Sequence, residues 1–296
     1  MKNRDENLSA WGGPLERGLL ALVFGFVVVS LAGYATFGRH PSLVAGLPGA
    51  AEFYGIAFHF FPRGQALVAF GALALVLVYR AGWRWLGAFV AVYAVSLGAE
   101  LLGTSTGFPF GAYATGDALG VKRLDLVPAL IPLSWFYMAV PSWLLARRLL
   151  EGRGGAARVL LGALLLAMWD LSLDPAMSHA TAYWSWSETG SFYGMPWVNL
   201  LGWYVTGVAL MAVLSWRALR VETWALRLPL GWVAAFYAAN VLLSWGMVVA
   251  SGLVWAAVLT PVAYGLLLAA LRPWDVRVVS IEVARAQGAG RDGLEG

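Results

Sequence analysis

Residues 18–37 carry no charged side chain, and a run of about 20 apolar residues is what a helix needs to cross the hydrocarbon of a bilayer. Seven further stretches approach the same pattern, at about 65–79, 85–102, 126–146, 159–174, 198–216, 228–249 and 252–271. The second is short, and the eighth follows the seventh after a tight Ser-Gly turn. Hydrophobic residues make up 60% of the chain and charged residues 12%, against about 25% charged in an ordinary soluble domain. Such a chain has too little polar surface to meet water all round. The expected fold is all-α, a polytopic transmembrane bundle of about eight spans. A single domain over 18–272 is expected, between a cytoplasmic N-terminal segment, 1–17, and a cytoplasmic tail, 273–296, expected to be disordered.

The basic residues set the orientation. With eight spans, 16 of the 20 lysines and arginines fall on one side, in the two ends and in the connections around 80–84, 147–158 and 217–227. The other side holds Arg39, Arg63, Lys122 and Arg123. Both termini are therefore expected in the cytoplasm and the protein in the plasma membrane. The segment 43–61 is apolar enough to invite a ninth span, but a crossing there would destroy the charge asymmetry. Its Pro48, Gly49, Glu52 and His59 fit an interfacial or re-entrant helix on the outer side. The first span is longer than a signal-peptide core and has no small-residue cleavage site close behind it, so it is expected to be retained.

Cysteine is absent, which excludes thiol catalysis and cysteine-held metals. The net charge of +4 reads as topology, not as a nucleic-acid footprint. No phosphate loop or dinucleotide fingerprint is present, no internal repeat is evident, and the three histidines have no metal-ligand spacing. No cofactor and no metal are expected.

The polar, glycine-rich and aromatic motifs all collect on the non-cytoplasmic side. The third span ends in Glu100, followed by GTSTGFPFGAYATGDALG. The fifth ends in WDLSLDP, residues 169–175, and the loop after it is rich in tryptophan and tyrosine. Asp170 and Asp174 stand four residues apart and so share a helix face. Pro175 disfavours helix at the residue before it, which sets both aspartates at a helix C-terminus, where the macrodipole is negative. Glu100 ends its own span in the same way. These are settings suited to a proton donor. A charge at mid-membrane costs about 2.5–3.5 kcal/mol on insertion scales, and a place near the headgroups avoids most of that. A bland reading stands beside this one, since carboxylates at span ends are often only solvated, and Trp and Tyr belt the interface without catalytic purpose. The alternative for the aromatics is a pocket facing a cation, at about 1–2 kcal/mol per ring. A magnesium-diphosphate reading of the D-x-x-x-D pair is weak, because there is one pair only and no basic residue near it. His179, five residues after Asp174, is a lesser catalytic candidate.

Three stretches carry a resemblance to a known family: ELLGTSTGFPFGAY (100–113), WDLSLDP (169–175) and YWSWSETGSFYGMPWVNLLGWY (183–204). With them the chain resembles the CruF-type carotenoid 1,2-hydratases of carotenoid biosynthesis, from about residue 50 to 270. The resemblance implies a cofactor-independent hydratase that adds water across the terminal C1–C2 double bond of an acyclic end group, in lycopene, γ-carotene or a C50 precursor. The product is a tertiary alcohol. Protonation at C2 leaves a tertiary cation at C1, which aromatic faces stabilise and water captures. On this reading Asp170 or Asp174 is the general acid, with Glu100 a further candidate. Trp169, Tyr183, Trp184, Trp186, Tyr193 and Trp197 are expected in the pocket wall. Thr104, Thr106, Tyr113 and Asn199 are expected to hydrogen-bond water or a carboxyl. The partners are the carotenoid, water and membrane lipid, with other enzymes of the pathway also in view and no nucleic acid. A non-enzymatic carotenoid or lipid carrier, or a proton-coupled transporter, is the competing class.

Overall fold

The computed structural model describes residues 10–45 and 48–289. The expected residues 1–9 of the N-terminal segment and 290–296 of the tail lie outside them. Among the described residues there are eight long helices: α1 (Pro14–Gly33), α2 (Ala50–Ala81), α3 (Leu86–Thr106), α4 (Leu130–Leu149), α5 (Gly155–Asp174), α6 (Val198–Leu214), α7 (Leu230–Ala250) and α8 (Val254–Ala289). Among the described residues six of these are long and apolar enough to cross a membrane. The other two are α6, with 17 residues, and α4, whose Pro132, Pro141, two serines and Arg147–Arg148 pair lower its hydropathy.

Local chemistry sets the helix ends. Glu16 caps α1 by accepting the Gly13 N–H at 2.9 Å, as a third-position carboxylate does at a helix start. α3 stops at Gly107, which takes φ +80°, the left-handed conformation that glycine adopts without Cβ strain. Pro175 ends α5, but the chain does not leave the axis: a π-helical turn, Pro175–Ala180, carries it on. α1 is extended in the same way by Tyr34–Gly38.

Two sequence expectations need correction. The segment 43–61 is not a separate re-entrant helix. Its second half forms the first turns of α2, which runs unbroken for 32 residues with Pro62 inside it. At 1.5 Å per residue that is about 48 Å, well beyond the hydrocarbon thickness of about 30 Å. The span expected from 126 starts later, because Val127–Pro128 is a strand. An all-helical reading also misses two small antiparallel pairs. β1 (Tyr113–Thr115) pairs with β4 (Trp184–Trp186), and β2 (Lys122–Arg123) pairs with β3 (Val127–Pro128).

α5 is the central helix, packed against α4, α6, α7 and α8. The core around it is built from large rings, with Trp135, Phe136, Trp232 and Phe236 fully buried. The basic connections meet at one end of the bundle. Arg80 Nε reaches Glu16 Oε1 at 2.5 Å, and Arg147 Nη1 reaches Glu222 Oε1 at 2.6 Å. At the opposite end the Tyr183 hydroxyl donates to the Phe58 carbonyl at 3.2 Å, and Arg63 Nε donates to the Ala118 carbonyl at 2.7 Å. That end, where the strands lie, also holds the three candidate acids.

Candidate active site

Glu100, Asp170 and Asp174 are all buried, the last two at 0% and 1% exposure. Glu100 comes from α3, and both aspartates come from the last turn and a half of α5. A cavity of about 130 Å³ opens beside them, smaller than the sites that enclose a whole drug-sized ligand. Glu100, Asp174 and Asn199 line it, whereas Asp170 stands behind the wall. No lysine, arginine or histidine is among the lining residues.

Each acid has its own set of donors. Asp174 Oδ1 accepts the Trp184 indole N–H at 2.5 Å, and Oδ2 accepts the Trp186 indole at 3.1 Å and the Ser178 hydroxyl at 3.3 Å. β4 supplies both indoles, and its pairing with β1 fixes where they point. Glu100 Oε1 accepts the Trp135 indole N–H at 2.8 Å, while Oε2 accepts the Tyr113 hydroxyl. Tyr113 leads β1, so one strand pair carries partners for both carboxyls. Burial first, then the adjacent Glu100, pushes the Tyr113 hydroxyl far above the usual phenol range, and Asp174 adds to this. Tyr113 therefore feels both acids at once. Asp170 Oδ2 accepts from Asn199 Nδ2 at 2.6 Å. Its Oδ1 and the neighbouring Trp169 indole are buried without a protein partner.

Small residues allow this closeness. A Cβ on Gly103 would stand 2.7 Å from the Phe110 ring, so only glycine lets Phe110 and Tyr113 fold back under α3. The aromatic faces then form one array. Trp135 and Trp203 stack with centroids 4.1 Å apart, Trp169 meets Trp203 edge-on at 5.8 Å, and Tyr113 lies 5.4 Å from Trp186. Rings present negative faces, and a cation within about 6 Å of a ring is attracted. A cavity walled by rings and two carboxyls, with no fixed positive charge, is suited to a positive intermediate.

Comparison with known proteins decides the family, since the model of the carotenoid biosynthesis proteins matches residues 64–270. The chain belongs to that family. A bisanhydrobacterioruberin hydratase of Haloarcula japonica is 38% identical over 122 residues, which is 40% of this chain and 41% of that protein. The chain thus matches about two fifths of the length of that curated relative. No solved structure matches.

In this carotenoid biosynthesis protein the sequence candidates divide. Glu100, Asp174, Tyr113, Trp169, Trp184, Trp186 and Asn199 meet at the cavity. Tyr183 packs on Phe58 at the far side of Met177. Four others stand away. Thr104 turns back on its own helix and bonds the Glu100 carbonyl at 2.9 Å. Thr106 closes the end of α3 by bonding the Leu102 carbonyl at 2.7 Å. Trp197 is 54% exposed and donates to Ser191 at 2.8 Å. Tyr193 accepts the Trp255 N–H at 2.9 Å and faces His179, which itself is not in the cavity wall. The sequence reading missed Trp135, Trp203, Tyr137, Gln65 and Asn240, all lining residues. The last two carried a usable signal, because an amide inside an apolar span is rare unless it faces an interior. Gln65 Nε2 donates to Asn240 Oδ1 at 3.3 Å. Among the described residues no three His, Asp or Glu are grouped as metal ligands.

Proposed function

We propose that the protein is a carotenoid hydratase, adding water to the terminal C1–C2 double bond of an acyclic end group. The observation that carries this reading is the convergence of two buried carboxyls on a ring-walled cavity free of basic residues. The hydratase activity of the Haloarcula relative agrees with it.

The donor sets divide the roles. Indole N–H groups only donate, so Trp184 and Trp186 hold Asp174 as an acceptor. A hydroxyl also accepts, so the Glu100–Tyr113 pair carries a proton on Glu100 as readily as it bonds the carboxylate left behind. Glu100 then gives its proton to C2, and the alkene electron pair leaves C1 positive. The faces of Trp135, Trp203 and Trp169 stabilise that charge. Water held by Asp174 and Asn199 adds its oxygen to C1 and gives a proton to Asp174. Return of this proton to Glu100, past Tyr113, closes a cycle whose sum is alkene plus water to tertiary alcohol. Asp170 acts one layer back, by fixing Asn199. No cofactor enters this scheme. By the positive-inside rule, the arginine-rich end faces the cytoplasm, and the cavity opens in the non-cytoplasmic half of the plasma membrane. The hydratase domain is the single bundle over 18–272.

The test is expression in hosts accumulating lycopene, γ-carotene or bisanhydrobacterioruberin, with pigments separated by chromatography and weighed by mass spectrometry. A pigment heavier by one water, lost in Glu100→Gln and in Asp174→Asn, is expected. Folded protein that leaves every pigment unchanged in mass overturns the reading, and pigment that co-purifies intact points to a carrier.

A further inference from the structure

A second and larger hollow, of about 650 Å³, lies between the last turns of α1 and the first turns of α2. The length of α2 makes it: the overhang before Pro62 supplies one wall, and Val29 to Gly38 supply the other. The surface is overwhelmingly apolar, with Phe37, Phe53, Ala57 and Phe61 among its walls. Two of its polar groups are already engaged. The Tyr34 hydroxyl shares a hydrogen bond of 2.7 Å with Ser251, and the Tyr183 hydroxyl donates to the Phe58 carbonyl. At the outer lip Val29, Phe37 and Phe53 are exposed, Phe53 at 68%, so the cleft opens sideways where lipid stands. At its inner end Pro62, Met177 and Leu243 line both this cleft and the acid cavity. The cleft and the acid cavity therefore lie back to back, with these three side chains between them.

We propose that this cleft binds the long hydrocarbon body of an isoprenoid substrate, with the end group passing between Pro62, Met177 and Leu243 to reach the acids. The proposal rests on the hydratase reading for the identity of the ligand. A long polyene whose end group fills the cavity must leave it somewhere, and every polar group it met on the way would lose hydration without gaining a partner. The cleft provides an exit without that cost. Met177 is the adaptable member of the three, since its unbranched side chain repacks around differing shapes. It stands in the π-helical turn after Asp174, which ties the width of the passage to the position of the acid.

Two experiments test this in whole membranes. A photoreactive amino acid is placed at Phe53 or Ala57 in the cleft, and at Val90 or Leu266, which are 63% and 66% exposed on other helices. In a lycopene-accumulating host, irradiation is expected to give adducts of carotenoid mass at the cleft positions and not at the controls. The Glu100→Gln/Asp174→Asn background is expected to give the same pattern, so the cleft is judged even if no variant hydrates anything. Equal adducts at cleft and control positions, or acyl-lipid adducts alone in the cleft, overturn the proposal. In the second experiment Ala57→Trp fills the cleft. Turnover of the carotenoid is expected to fall about tenfold or more in kcat/KM, while a short terpene with the same terminal double bond is hydrated as by the wild type. Equal loss for both substrates, or for neither, overturns it.

Discussion

Removing one oxygen atom tests the division of labour between the acids. Tyr113→Phe keeps the ring, and with it the packing on Trp186 at 5.4 Å and Phe110 at 6.3 Å. It deletes the hydroxyl that meets Glu100 Oε2, leaving that oxygen buried and without its partner. A hydrogen bond to a charged group contributes about 1.5–3 kcal/mol. In the proposed mechanism Glu100 becomes charged only as its proton leaves, so the loss falls mainly on the transition state and predicts a turnover about 10- to 150-fold slower. Any damage to stability needs a control, and Tyr237→Phe supplies it. The Tyr237 hydroxyl is buried too, bonded to the Leu165 carbonyl at 2.7 Å and to Tyr264 at 2.5 Å, but it does not serve an acid. The assay is pigment conversion in membranes at matched protein levels, with thermal unfolding measured alongside. Tyr237→Phe is expected to lose stability and keep its rate per folded molecule. The reasoning is refuted if Tyr113→Phe stays within about twofold of the wild type, or if Tyr237→Phe loses as much rate.

Asn199→Ala strips Asp170 of the bond at 2.6 Å while Oδ1 already has no protein partner, so a stability loss of about 1–3 kcal/mol is expected. Adding Asp170→Asn should recover part of it, a non-additivity that thermal melts of the two single variants and the double variant will measure. Alkaline stability is the other prediction. Burial raises the Tyr183 hydroxyl above its usual range, as burial and Glu100 raise that of Tyr113. Unfolded tyrosines lose their protons near about pH 10 while these two keep theirs. Their contribution is therefore intact below that pH and drains away as pH rises toward the folded values, at up to about 1.4 kcal/mol per pH unit for each. Melts in detergent from pH 9 upward should show this fall, and a shallower one in Tyr113→Phe; an unchanged slope contradicts it.

The helices were legible in the sequence because hydrocarbon imposes a length that composition alone reveals. Pro175 marked the end of α5 correctly, through its effect on the residue before it. What it did not reveal was the π-helical turn beyond, since proline forbids one ladder and not every helical path. The union of 50–61 with α2 was hidden by the same residue: Pro62 reads as a boundary when seen alone. The aspartates were read from their spacing and Glu100 from its place at a span end, but the donors on them were legible only in part. Tyr113, Trp184 and Trp186 stand in a recognisable motif, and Asn199 follows it. Trp135 and Trp203 sit within apolar spans, where a ring facing a cavity and a ring facing lipid have the same periodicity. Trp197 and Tyr193 share the motif of the cavity residues and yet stand away from the cavity, Trp197 exposed and Tyr193 packed on another cluster, because alternation along a loop has no fixed period to read.

The pairing of β1 with β4 also bears on how the molecule is made. β1 precedes α4, and β4 follows α5, so two long helices separate the strands that clasp each other. While the chain is being inserted, Glu100 and Tyr113 enter first and wait. Asp174 arrives with α5, its indole partners only after that helix has turned back, and Asn199 with α6. Until then the two aspartates lack the indole and amide donors on them, whereas Glu100 already has Tyr113 and Trp135. On the proposed reading the site is assembled in two stages, the Glu100 side first and the Asp174 side only once β4 and α6 are in place.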